Sequence, residues 1–320
     1  MKRYLELKNS FSGKFEYSSE EQKFYFNEKE LASIGQDIPS FIDTDFDALT
    51  REVSDFYNNI KFPNYKNMED YASIYDKGRG NIFTRKLDDE LGWNCKVLEL
   101  GCGSGQMSLF LGRGKREVYA VDISPSSLLL GEEFRKHSDI SKVYFMHMDV
   151  FNLCFKDDLF DFVVSNGVLH HTKNAKKAFK CLVDVTKPGG FIVVGLYHRY
   201  GRFFTKIKQY LAKLIGNKIF YFDKSSRNMG SSEKREAWVK DQFFNPHETV
   251  HTPREVMSWF DENDVEFINL IPHFDITTKP LFYKRNKQTL SVLDDLILMF
   301  DRNQIREGGF FIMVGKKNGG

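Results

Sequence analysis

Lys96-Val97-Leu98-Glu99-Leu100-Gly101-Cys102-Gly103-Ser104-Gly105-Gln106 joins three short signals in one run. Val97 to Leu100 has the apolar character of a buried strand, three glycines spaced two apart break it, and Met107-Ser108-Leu109-Phe110-Leu111 suits a helix. The reading is strand, tight turn, helix. Glycines let the backbone turn sharply and approach a ligand without Cβ clashes, and the helix N-terminus behind them offers unpaired N–H groups to a carboxylate or phosphate. A nucleotide-like cofactor is the natural occupant. A dinucleotide fingerprint, G-x-G-x-x-G, would need a glycine where Gln106 stands, so the pattern is Glu99-x-Gly101-x-Gly103-x-Gly105 instead.

Working outward, Glu117-Val118-Tyr119-Ala120-Val121-Asp122 reads as a second strand that ends on an acid. The acid lies about 20 residues beyond the first glycine, where nucleoside-binding α/β folds place a carboxylate for the ribose hydroxyls. Ser124-Pro125-Ser126-Ser127 follows as a helix start, with proline in the first turn. A third strand, Val143 to Asp149, again finishes on an acid, and a fourth runs from Phe160 to Asn166.

Acids at three successive strand ends, joined to the Glu-x-Gly-x-Gly-x-Gly turn, resemble the class I S-adenosylmethionine-dependent methyltransferases. The turn Lys187-Pro188-Gly189-Gly190 before the strand Phe191 to Leu196 is also similar to that family, and the likeness runs over roughly residues 95 to 198. Asn166-Gly167-Val168-Leu169-His170-His171-Thr172 and Arg306-Glu307-Gly308-Gly309-Phe310-Phe311 resemble a bacterial subgroup of methyltransferase-domain proteins.

The resemblance implies S-adenosyl-L-methionine as cofactor and a site for each of its parts. Glu99, Gly101, Cys102, Gly103, Gly105 and Gln106 would surround the methionine portion. Asp122, with Ile123 beside it, would hold the ribose; Asp149 would meet the adenine amino group, and the Val150 N–H a ring nitrogen. Asn166 and Gly167 would lie between the methionine portion and the methyl acceptor. Arg79, ahead of the glycine turn in Tyr75-Asp76-Lys77-Gly78-Arg79-Gly80, is a candidate for the cofactor carboxylate, its guanidinium being a planar fork; a surface charge beside a glycine turn is the other reading.

Composition limits the alternatives. The 320 residues exceed one ordinary domain, 41% are apolar, and the net charge of +2 gives no global pull toward nucleic acid. Cys95, Cys102, Cys154 and Cys181 form no C-x-x-C pair, which suits reduced thiols better than zinc or a disulfide framework, and no metal is expected. Without an apolar signal segment at Met1-Lys2-Arg3-Tyr4 or a run of about 18 apolar residues, a soluble cytoplasmic chain is expected.

The expected fold is α/β and Rossmann-like: a seven-stranded sheet, parallel except for its last strand, with helices on both faces. Residues 1–63 would form an N-terminal cover, a small hairpin or irregular segment, and 64–198 the cofactor-binding core, with helices around Met68 to Lys77 and from Asn81 to Leu91. Residues 199–251 would be an insertion or lid, 252–272 a core helix and strand, 273–307 a second insertion with the apolar stretch Leu290 to Phe300, and 308–320 the last strand and tail. Asp43, Asp45 and Asp47 read as a solvated face.

Methyl transfer from a sulfonium asks mainly for positioning and exclusion of water, with a base where the acceptor is a hydroxyl. His171, then His170, are the candidate bases, since both follow the strand carrying Asn166; capping or packing under the loop is the competing role for either. His247-Glu248-Thr249-Val250-His251 spells the zinc-protease H-E-x-x-H, but Pro246 precedes it and the helix signal starts only at Thr252-Pro253, so a polar wall of the acceptor pocket is expected there.

Phe203, Phe204, Ile207, Tyr210, Leu211, Leu214 and Ile215 recur at helical spacing among lysines. The first reading is a lid packed on its own domain; the second is weak membrane-surface contact through 203–215. Nucleic acid ranks behind both, since the basic residues form no recognised module. The leading function is methyl transfer to an oxygen or nitrogen of a small molecule. RNA or lipid methylation, a nicotinamide oxidoreductase and a non-catalytic cofactor-binding protein are the alternatives, and oligomeric state is not legible.

Overall fold

The apolar runs become one sheet. In the computed structural model β5 (Lys96–Leu100), β6 (Glu117–Asp122), β7 (Val143–His147), β8 (Phe160–Asn166) and β9 (Thr186–Tyr197) lie parallel in the order β7-β6-β5-β8-β9. β11 (Phe310–Lys317) pairs antiparallel with β9 on one side and with β10 (Val265–Ile271) on the other. The residues described are 2–35, 37–42, 46–59, 71–112, 115–138, 140–203, 205–207, 209–210, 239–240, 244–272, 279–284, 290–291 and 309–319.

Both faces of the central strands are covered, which is why β5 reads as an unbroken apolar run rather than an alternation. One face packs Val97, Val118, Ala120 and Phe145 under Leu109 and Phe110 of α4 (Gln106–Leu111) and Leu128 of α5 (Pro125–His137). The other packs Leu98, Val163 and Ile192 under Phe179 of α6 (Ala175–Val185) and Phe260 of α7 (Pro253–Glu262), whose rings stack 5.2 Å apart. The order in which the chain adds strands reverses between β5 and β8. Open α/β sheets leave a crevice outside the carboxyl ends of the strands at such a switch point.

Among the described residues the sheet has eleven strands, not the expected seven. β1 (Phe15–Ser18), β2 (Lys23–Phe26), β3 (Lys29–Ile34) and β4 (Ile38–Ser40) continue it beyond β7, with Ser40 opposite His147. The N-terminal region therefore prolongs the sheet as well as covering it. Its aromatics explain this: Tyr4, Phe11, Phe15, Phe24 and Phe41 bury themselves in the same cluster as Tyr119, Tyr144 and Phe155.

Smaller corrections have local causes. The Lys187–Gly190 turn loops out inside β9, between the Phe160–Thr186 and Phe162–Phe191 pairs, with Gly189 at φ +79°. Helix α2 (Tyr71–Gly80) runs through the segment expected to break it, and α3 (Ile82–Glu90) starts directly behind it, capped by the Asn81 side chain, which accepts the Thr84 N–H at 3.0 Å. The capped start at Thr252 is present, its side chain accepting the Glu255 N–H at 3.2 Å.

Of the 203–215 stripe, residues 203, 205–207 and 209–210 are described. Phe203, Ile207 and Tyr210 lie on a helical segment with their side chains exposed, at 55%, 42% and 66%. Residues 211–215, 68–70, Asp43 and Asp45 lie outside the described residues, as does all of the Leu290 to Phe300 stretch except its first two residues.

Candidate active site

The glycine turn sits at the carboxyl end of β5 and is held by backbone bonds from Gly101 N–H to Val121 O at 2.8 Å and from Gly105 N–H to Cys102 O at 2.8 Å. Gly101 and Gly105 adopt φ of +73° and +74°. A Cβ at Gly101 would stand 2.2 Å from Val168, and one at Gly105 2.3 Å from Phe145, so both positions admit hydrogen alone. The turn is a cradle in which the backbone itself faces the crevice.

Asp122 ends β6 beside it. One carboxylate oxygen accepts the Gly103 N–H at 2.7 Å and the other the Ser124 N–H at 2.8 Å, while burial raises its pKa against those bonds. Ser124 in turn caps α5. Glu99 is buried inside the turn and accepts a bond from the Ser108 hydroxyl; burial pushes its pKa up to about 8, with the Asp122 charge adding to the shift. Cys102 is buried and its thiol is raised well above the usual range by burial.

Glu99 thereby makes stability pH-dependent. Its folded pKa, about 8, lies above the ordinary 4.5, so folding takes up a proton between those values and stability from this group falls as pH rises from about 4.5 to 8. Glu99→Gln is expected to remove a slope of at most about 1.4 kcal/mol per pH unit, read by denaturant unfolding across that range. An unchanged slope would place the proton elsewhere.

At the end of β7, Asp149 caps a short helical turn by accepting the Phe151 N–H at 3.1 Å, and burial raises its pKa; Val150 is buried behind it. The Ile123 carbonyl bonds the Ser54 hydroxyl and a ring nitrogen of His147, both at 3.1 Å. At the end of β8, Asn166 is exposed toward the crevice and Gly167 turns at φ +83°, its N–H on Gly195 O at 3.0 Å. Gln106 opens α4 and accepts from Lys77 Nζ at 2.5 Å.

Arg79 is placed apart from this group. It pairs with Asp89 at 2.8 Å on the surface of α2 and α3, so Lys77, on the same helix, is the cation beside the glycine turn.

The two histidines are brought to the β8 end but not to equal surroundings. His171 is buried, its Nδ1 is 2.7 Å from the His247 carbonyl, and its ring lies 6.1 Å from that of Tyr57. A proton on Nδ1 bonded to that carbonyl leaves the lone pair on Nε2. His170 is wholly buried, packs 4.0 Å from the Tyr197 ring, and has no hydrogen-bond partner at either ring nitrogen; burial, then His171, drives its pKa well below the usual value, so it is neutral.

The H-E-x-x-H stretch is extended and walls this corner. Thr249 N–H bonds the His170 carbonyl at 2.8 Å, Glu248 grips the buried Arg202 at 3.2 and 2.5 Å, and His251 bonds Thr249 and Glu255, each at 2.9 Å. No group of three metal-ligating side chains occurs among the described residues.

Sequence reasoning missed the element that spans the crevice. From α1 (Ala48–Asn59), Asn58 accepts from Ser124 Oγ at 3.1 Å, and Tyr57 faces His171 and accepts from Asn245 at 2.8 Å. Asp47, just ahead of the helix, pairs with Lys173 at 2.7 Å. The helix thus ties the β6 loop to the β8 loop. No local motif announces such contacts, and the only signal was an amphipathic run before the core.

Residues 98–194 match a family model described as a methyltransferase domain. A malonyl-[acyl-carrier protein] O-methyltransferase of Buchnera aphidicola is 33% identical over 39% of this chain and 47% of its own length. A demethylmenaquinone methyltransferase of Clavibacter sepedonicus is 29% identical over 45% of this chain and 63% of its own. The chain thus spans about half to three fifths of these relatives. A solved SAM-dependent methyltransferase from Methanosarcina mazei shares 17% identity over 72% of this chain and 95% of its own, with a TM-score of 0.46.

Proposed function

We propose, from the premise that residues 98–194 form a class I S-adenosylmethionine-dependent methyltransferase domain, that this chain methylates an oxygen or nitrogen of a small molecule. The observation that carries the reading is the grouping of Glu99, Asp122 and Asp149 at three neighbouring strand ends around a cradle that only glycine fits. Such a set suits a nucleoside with a cationic tail: two carboxylates for sugar and base, and a buried acid and bare backbone for the tail.

S-adenosylmethionine supplies the activated methyl group when bound. The chain's own residues do the rest. Asp122, braced by two N–H groups, accepts the ribose hydroxyls; Asp149 and the Val150 N–H read the adenine edge; Gly101 to Gly105 leave room for the methionine portion, with Glu99 beneath and Lys77 at its rim. Asn166 and Gly167 border the transfer path. His171 Nε2 takes the acceptor's proton where the acceptor is a hydroxyl, and neutral His170 lines the same corner.

One relative's name supports a small acceptor, a demethylmenaquinone, while the other's is an O-methyl transfer on malonyl-[acyl-carrier protein], a malonyl group carried on a protein. Incubating the full chain with methyl-labelled cofactor and a metabolite extract is expected to label one small molecule in proportion to enzyme. Label confined to RNA or protein would contradict the acceptor class; no transfer despite S-adenosylhomocysteine binding would contradict the activity.

A further inference from the structure

One peptide group in the crevice is gripped at both ends. The peptide joining Ile123 to Ser124 directs its N–H to the Asp122 carboxylate at 2.8 Å. Its carbonyl accepts from the Ser54 hydroxyl of α1 and from Nε2 of His147 at the end of β7, each at 3.1 Å. A peptide is planar, so whatever fixes the carbonyl also fixes the direction of the N–H. His147 and Ser54 thereby aim one of the two N–H groups that brace Asp122.

The His147 ring is itself set from outside the matched domain of residues 98–194. A carbonyl oxygen only accepts, so Nε2 carries the proton, and burial, which lowers the pKa to about 4, keeps the ring neutral. The bare Nδ1 then accepts from the Ser40 hydroxyl at 2.7 Å. Ser40 belongs to β4, the last of the four strands that prolong the sheet. It stands opposite His147 in register, and the neighbouring Phe41 N–H bonds the His147 carbonyl at 2.9 Å. Ser40, Ser54 and His147 are all buried, where such bonds are firmer than in water.

We propose, resting on the reading that Asp122 holds the ribose, that His147 is a positioning residue for the cofactor and that Ser40, His147 and the Ile123 carbonyl couple the N-terminal strands to the cofactor site. The added strands then do more than cover an edge. Without the Ser40 hydroxyl the His147 ring loses the bond that orients it, the peptide between Ile123 and Ser124 is held less firmly, and Asp122 meets the sugar less well aligned. His147 acts through that peptide and not by touching the nucleoside.

The test is titration calorimetry of the full chain with S-adenosylhomocysteine, with thermal unfolding of each unliganded variant alongside. Ser40→Ala is expected to raise the dissociation constant about three- to tenfold, the loss of one neutral hydrogen bond, and His147→Phe about tenfold or more. Adding Ser40→Ala to His147→Phe should cost less than about twofold more, because the two act along one chain of bonds. His147→Gln, whose amide can still donate to the carbonyl, should recover part of the loss. Ser10→Ala is the matched control: it removes another buried bond of the N-terminal region, to the Tyr119 hydroxyl at 2.8 Å, and should lower stability while leaving affinity within about twofold. Unchanged affinity in Ser40→Ala and His147→Phe, losses that simply add, or equal losses in Ser10→Ala overturn the proposal. If Asp122→Ala also kept full affinity, the ribose reading would fall with it; if Asp122→Ala alone lost affinity, that reading would stand and only the positioning role would fall.

Discussion

Asp122→Ala raises the dissociation constant for S-adenosylhomocysteine by about 10²- to 10⁴-fold in titration calorimetry. Two ribose hydroxyls donating to one carboxylate form charge-assisted bonds worth about 1.5–3 kcal/mol each, and about 1.4 kcal/mol is a tenfold change. The magnitude depends on the carboxylate being fixed beforehand, and it is: the Gly103 and Ser124 N–H groups hold its two oxygens at 2.7 and 2.8 Å. Removing it also strands those N–H groups, so unfolding must be measured alongside. Asp122→Asn keeps the shape but turns one acceptor into a donor, and an intermediate loss is expected. Affinity within about threefold of wild type in a folded Asp122→Ala protein would remove the ribose from this carboxylate.

His171→Ala lowers turnover of a hydroxyl acceptor by about 10²- to 10⁴-fold, with cofactor affinity within about twofold. Its Nδ1 contact with the His247 carbonyl holds the ring and directs the lone pair to Nε2, the arrangement an aimed base requires. The loss should shrink as pH rises and the acceptor ionises by itself, a readout that a merely structural histidine would not give. His170 has no such anchor, and its burial against Tyr197 gives it a packing role whatever else it does. Equal turnover in wild type and His171→Ala would show that positioning alone carries the reaction.

The parts of this molecule that are local in sequence were legible. The glycine turn, the acids that follow β6 and β7, and the capped start of α7 each rest on residues within a few positions of one another, where propensity and spacing act directly. What failed was one local turn and the long-range pairings. The β2–β3 hairpin turns on Asn27 and Glu28, both at positive φ; Asn is usual there and Glu is not, so no turn signal separated the strands. The edge pairing of Ser40 with His147 joins residues 107 apart, and nothing near either announces the other.

The site shows the same division. Asp122 and Asp149 could be placed because one closes β6 and the other stands two residues beyond β7. Arg79 and Lys77 lie two residues apart on one helix, and only packing decides that the first reaches Asp89 and the second Gln106. Tyr57, Asn58 and the Arg202–Glu248 pair reach the site across folds of chain with no shared motif.

A crystal structure grown with S-adenosylhomocysteine tests the central claim most directly. The ribose hydroxyls should lie within hydrogen-bond distance of Asp122, the adenine beside Asp149 and the Val150 N–H, and the amino-acid tail over Gly101 to Gly105. A nucleoside bound elsewhere, or Asp122 and Asp149 both turned from it, would contradict the account.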